Sequence, residues 1–215
     1  DPPDLWTYDM KRIPVPAYDG MVTWHAGVAR ADEQGLPDEA GDWLYILGAQ
    51  GGWTKQVLAR IPVADFAKLN FSSMQVWSAN ASGAAPAWNQ QSALPPGDGF
   101  AKSLVPIGDI GDSVQEAGMW FHPRLQLWYI PMASGDKIVL RTASSLTGPW
   151  SSHVVYQIPE PWGAEDSEYA AYAVKAHPEL AHDDEIVLTY NVNLRNDPLM
   201  GRLFEQGEVE TYVPA

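Results

Sequence analysis

The sequence predicts an all-β fold, specifically a β-propeller, and three observations carry that expectation. The first is a repeated unit. Glu116-Ala117-Gly118-Met119-Trp120-Phe121-His122-Pro123 leads into Leu127-Trp128-Tyr129-Ile130, and Glu168-Tyr169 through Lys175-Ala176-His177-Pro178 leads into Ile186-Val187-Leu188-Thr189-Tyr190. Each copy has an acidic start, an aromatic-containing strand, a His-Pro corner and a second apolar strand, and repetition of one strand-turn-strand unit marks a stacked or radial β architecture. The second is the stretch 113–159, which divides into four strands in about 45 residues, the size of one propeller blade. The third is spacing: short β-branched and aromatic runs alternate with Gly-, Pro-, Asn- and Asp-containing turns along most of the chain.

Taken in order, residues 1–20 are rich in Pro, Asp and Tyr without a clear period and read as a connection or the ragged end of a larger domain. Blades then occupy 21–215. A strand is expected over 21–30 and a loop over 32–42. Trp43-Leu44-Tyr45-Ile46-Leu47-Gly48 has strand composition, and 56–62 follows as the next strand, ended by Pro62. Residues 63–69 suit one helical turn. Residues 74–78 alternate apolar and polar as a half-buried strand does, and 80–100 reads as a long loop. The four strands of the cleanest unit are expected at 115–121, 126–131, 137–143 and 153–158, with turns at 122–124, 134–136 and 146–149. The unit opening at Glu168 supplies two strands up to 193, and 209–213 could be a last one. The count is about three blades, at 21–79, 113–159 and 168–213. Closure of a propeller takes at least four, since an open arc leaves strand edges exposed. The chain is therefore expected to be part of a longer protein or to pair with a companion chain carrying the missing N-terminal blades, and the start at Asp1-Pro2-Pro3-Asp4 fits an internal cut or a further N-terminal portion.

Composition narrows the function classes. The formal net charge is −14, from 27 acidic and 13 basic residues, which disfavours nucleic acid and anionic membrane surfaces as partners. No apolar run approaches the roughly twenty residues of a membrane span. There is no cysteine, which removes disulfides, thiolate zinc sites and cysteine nucleophiles and agrees with a secreted bacterial protein. No Gly-x-Ser-x-Gly elbow supports a Ser-His-Asp enzyme, and no Gly-rich phosphate loop is present. Ten Trp and nine Tyr against five Phe favour aromatics with a polar tip, which stack on sugar faces and also fill the space between sheets.

Several stretches together resemble a known family. Residues 43–65, with Val57-Leu58-Ala59-Arg60-Ile61-Pro62, are similar to a blade repeat of secreted five-bladed β-propellers. Arg141-Thr142-Ala143-Ser144-Ser145-Leu146-Thr147-Gly148-Pro149-Trp150-Ser151 is similar to a blade corner of the same group, and His177-Pro178-Glu179-Leu180 with Thr189-Tyr190-Asn191-Val192-Asn193 resembles its last-blade signature. The group comprises the propellers related to the arabinanase-like glycoside hydrolases, including endo-D-arabinanases. The resemblance covers about 43–193. It implies a five-bladed propeller for the whole protein and hydrolysis of a polysaccharide, an arabinofuranose polymer among the candidates. It also implies that one catalytic carboxylate comes from N-terminal blades that this chain lacks.

Glycoside hydrolysis uses two carboxyl groups facing each other across the scissile bond. Glu116 and Glu168, each at the start of an expected innermost strand, are the candidates. Glu116 precedes an apolar strand that would raise its pKa by desolvation and is the expected general acid. Trp24, Trp120 and Tyr169 are the expected sugar platforms, with His25 able to meet a sugar hydroxyl. Against these stand ordinary roles: a strand-end carboxylate bonded to backbone amides, or an aromatic used as filler. His122 and His177, placed alike in two units, read as corner residues. No metal or other cofactor is expected, although Glu165, Asp166 and Glu168 could hold calcium as a hard-cation set. A non-catalytic carbohydrate-binding propeller, or one chain of a cleaved two-chain assembly, is the alternative reading.

Overall fold

A computed structural model describes residues 22–30, 42–51, 55–79, 85–109, 118–159, 169–182 and 184–194. Among them the fold is all-β, built of three antiparallel sheets. The first contains β1 (Val22–Arg30), β2 (Trp43–Gln50), β3 (Lys55–Pro62), β4 (Gln75–Ser78) and β5 (Ala87–Gln90) in that order, with the short β6 (Gly108–Asp109) also paired to β3. The second has β7 (Trp120–His122), β8 (Leu127–Ser134), β9 (Lys137–Ala143) and β10 (Ser151–Gln157), paired successively. The third pairs β11 (Tyr169–Ala176) with β12 (Leu188–Leu194). Two short helices, α1 (Val63–Phe66) and α2 (Asp98–Ser103), complete the described elements with two 3-10 turns.

Strand alternation assigns each face of these sheets to a different core. On β2, Tyr45 and Leu47 point to one side, while Leu44 and Ile46 point to the other. The Tyr45 side meets the second sheet: Leu58 of β3 joins Met119, Phe121, Trp128, Ile130 and Met132 in one buried cluster. The Leu44 side is covered by Phe71, Met74, Leu94, Phe100 and Leu104 from the connections that follow β3 and β5. The second sheet is buried on its other face as well. Ile138, Ile158 and Ala133 pack with Val174, Tyr190 and Val192 of the third sheet. The sheets thus stack face to face in chain order, with the second in the middle. A buried core of this kind is the dominant stabilising term, worth roughly 25 cal/mol for each Å² of apolar surface removed from water.

The expected unit at 113–159 is present as a four-stranded antiparallel sheet, with shifted boundaries. β8 runs on through Pro131 to Ser134. Proline cannot donate to a ladder, but Pro131 pairs only with Leu140 of β9, since β7 reaches no further along β8 than Tyr129. The β8–β9 turn is Gly135-Asp136, with Gly135 at φ 59°, the left-handed backbone that a tight hairpin needs at its first central position. The expected loop at 80–100 is different in the structure: it holds β5, a 3-10 turn at Gln91–Ala93 and the start of α2. The first sheet thereby reaches Asp109 rather than ending near 79. The expected strand at 209–213 lies outside the described residues, as do 1–20.

Candidate functional site

The two His-Pro corners lie side by side. Arg124, in the corner of the second sheet, approaches Asp184, in the β11–β12 connection, with Nη1–Oδ1 at 3.9 Å. β7 and β11 both run into these corners, so the two strands point the same way, and the chain enters both from the opposite end of the stack. Met119 and Phe121 face the first sheet. By alternation Trp120 and His122, with Tyr129 opposite Trp120, face the third.

That seam between the second and third sheets collects most of the polar chemistry. Trp120 stacks on Tyr129 with centroids 5.9 Å apart and planes 21° from parallel. Gly118 lies so close against this indole that a Cβ there would sit 1.9 Å from the ring. The Tyr129 hydroxyl is pushed up to about 12, first by burial and then by the nearby charge of Glu179. The buried His122 accepts a hydrogen bond at Nδ1 from the Leu125 amide, 3.2 Å. His177 is held at both ring nitrogens: Nδ1 meets Glu179 Oε1 at 2.8 Å and Nε2 meets Thr189 Oγ1 at 2.9 Å. A backbone bond from His177 N to Val187 O, 2.9 Å, closes the same connection. Glu179 is lowered below its ordinary value, chiefly by its own backbone amide and then by the His177 hydrogen bond. Both histidines thus act as turn-closing residues, the role that their matched placement predicts. The hydroxyl–imidazole–carboxylate chain also fixes His177 in one orientation, with a proton path from Thr189 to Glu179.

At the other margin of the seam lies a cleft of about 380 Å³ lined by Ile138, Val155, Tyr156, Ile186, Leu188 and Tyr190. Tyr156 and Tyr190 face each other at 6.1 Å. Burial, then the neighbouring Tyr156, raises the Tyr190 hydroxyl. The volume falls in the range of small-ligand sites, which are mostly apolar with a few fixed polar groups.

The expected site residues divide among three places. Trp120 and Tyr169 come to the same seam, Tyr169 packing beside Ile138, Val174 and Tyr190. Trp24 lies apart, against the core on the far face of the first sheet. Its indole is pressed on Gly48, where a Cβ would fall 2.5 Å from the ring, and its Nε1 is buried without an acceptor among the described residues. That ring is used in packing. His25 falls in the bulge of β1 between Trp24 and Gly27, and its side chain is outside the described residues. Glu116 and Glu168, with the calcium set Glu165, Asp166 and Glu168, are also outside them. Glu116 precedes its His-Pro corner by six positions and Glu168 by nine, so the two are not equivalent along their strands. A bulge in β11 between Tyr172 and Lys175, with Ala173 at φ 52°, takes up one residue of the difference. Among the described residues no group of three or more His, Asp or Glu could hold a metal ion, and no helix is long and apolar enough to cross a membrane.

The His177–Glu179–Thr189 chain and the tyrosine-edged cleft are not legible in the sequence alone. His-x-Glu at a corner is a partial signal for the first. The cleft needs β10 and β12, more than thirty residues apart in sequence, to be seen together.

No curated protein matches the chain. In fold it is similar to a crystal structure from Bacteroides ovatus described as a "putative hydrolase", with a TM-score of 0.58 and 19% sequence identity. The likeness covers 82% of this chain and 41% of that one, so the chain spans less than half the length of its structural relative. The profile of one family matches residues 23–215, nearly the whole chain, which therefore belongs to the family described as "Domain of unknown function (DUF5005)".

Proposed function

We propose that this chain is part of a β-propeller that hydrolyses glycosidic bonds in an extracellular polysaccharide, with an arabinofuranose polymer as the expected class. The observation that carries the reading is the parallel entry of β7 and β11 into neighbouring, face-packed sheets. Glu116 and Glu168 precede these strands in the sequence, and in this scheme they are the carboxylates that consecutive blades present to a shared channel. The description of the Bacteroides ovatus protein as a hydrolase supports the same reaction class. In this scheme Glu116 protonates the leaving oxygen and Glu168, or a carboxylate supplied by further blades, acts as base or nucleophile. Trp120 and Tyr169 offer the apolar faces on which sugar rings stack. The further blades would come from a companion chain or from the rest of a longer protein.

A second reading, sugar binding without cleavage, is favoured by the tyrosine-edged cleft between β10 and β12. Incubation with a panel of polysaccharides that includes arabinans separates the two. Release of oligosaccharides that Glu116→Gln lowers by two or more orders of magnitude supports the hydrolase. Retention of a polymer with no product, weakened by Tyr156→Ala, supports the binding module. A product yield unchanged by Glu116→Gln removes Glu116 from the mechanism.

A further inference from the structure

The seam between the first and second sheets contains a buried cation. Arg141 of β9 is 5% exposed, and Gln56 of β3, across the seam, is fully buried. Arg141 Nη1 donates to Gln56 Oε1, and Nη2 donates to the Ile107 carbonyl at 3.3 Å. The Trp150 ring covers the guanidinium, 5.5 Å from Cζ to centroid, and is itself fixed by a bond from Nε1 to the Leu146 carbonyl, 3.2 Å. Burial pushes the guanidinium below its usual range. Every one of these partners is neutral. Among the described residues no carboxylate reaches Arg141.

Beside it is a second unmet demand. Gln56 Nε2 is buried and has no hydrogen-bond partner among the described residues. Rotating the amide cannot cure this, because it would turn an N–H₂ group toward the guanidinium, which has donors only. Among the described residues, one small region of the seam therefore holds a positive charge without a counter-charge and an idle N–H donor. A buried unpaired donor costs about 1–3 kcal/mol, and a buried charge without a counter-charge costs more. A water molecule would satisfy the amide but leave the charge unanswered. A small anion answers both.

We infer that the seam between the first and second sheets binds a monoatomic anion, chloride in a cell or its medium, between the Arg141 guanidinium and Gln56 Nε2. The anion joins two sheets that contribute one ligand each, and its release would leave Arg141 held by neutral groups alone.

The test uses the whole chain in sodium chloride and in sodium gluconate at matched ionic strength. Chloride is expected to raise Tm with the logarithm of its concentration above Kd, by roughly 5–10 °C at a hundredfold excess over Kd. Gln56→Glu, close to isosteric, places a carboxylate against Arg141. It is expected to fold and to lose the chloride response. Crystals grown in bromide are expected to show an anomalous peak within hydrogen-bond reach of Arg141. A Tm indifferent to chloride, a chloride response that survives Gln56→Glu, or a bromide-free seam would each overturn the inference.

Discussion

Tyr129 shows how one side chain registers the whole seam. Its ring is buried between Trp120 and the third sheet, and its hydroxyl is pushed up to about 12 because an ionised phenol there would lose its water and face Glu179. The folded state therefore holds this proton more tightly than the unfolded chain does. The resulting stability is fully present below pH 10 and is lost as the pH rises from 10 through 12. Absorbance titration of the folded protein should show phenols ionising well after the exposed ones, and Tyr129→Phe should remove one of these late steps while leaving the early ones in place. The aromatic character of this position was readable in the sequence, as was the His-Pro corner beside it. The shift was not, since it depends first on burial and then on Glu179, fifty residues away, being brought near by the stacking of two sheets.

At the scale of the elements, the strands with continuous apolar or alternating patterns were legible: β2, β3 and β9 fall within two residues of expectation, because local composition and burial agree there. The segment 80–100 was not. α2 is six residues long with Phe100 and Ala101 buried, too short for a helical period to repeat, and β5 owes its conformation to the Trp77–Trp88 contact with β4 at 5.4 Å. Arg60 is similarly a product of assembly, lying 4.2 Å from the Trp43 ring and 4.5 Å from that of Trp88. The position of Trp120 and Tyr169 at strand starts was legible, whereas the Arg141–Gln56 contact spans 85 residues and has no local signature. The β1–β2 pair makes a prediction of its own. A Cβ added at Gly48 would fall 2.5 Å from the Trp24 ring and 2.9 Å from the Thr23 carbonyl. Because one of these atoms is backbone, Gly48→Ala must push β1 away, and it should cost about 1–3 kcal/mol in urea unfolding. Gly135→Ala should cost less, about 1 kcal/mol, since no atom lies near its added methyl and only the left-handed backbone opposes it.

For the whole molecule, the order of the sheets in the stack is the order of the chain. Each sheet is mostly local in its own pairing, and the long-range contacts are those between neighbouring sheets. Function at the scale proposed above is a property of such seams: the corner cluster and the cleft lie in one, the anion-binding pair in the other.

The middle position of the second sheet also sets a ladder of timescales for the backbone. β8 has core on both faces, Trp128, Ile130 and Met132 on one and Tyr129 and Ala133 on the other, so its amides reach solvent only when both neighbours separate. β11 and β12 form a pair covered on one described side. Amide hydrogen exchange should therefore be slowest in β8 and β9 and faster by orders of magnitude in β11 and β12. The seam that holds the corner cluster would then open on its own, well before the molecule unfolds, leaving the rest of the stack intact.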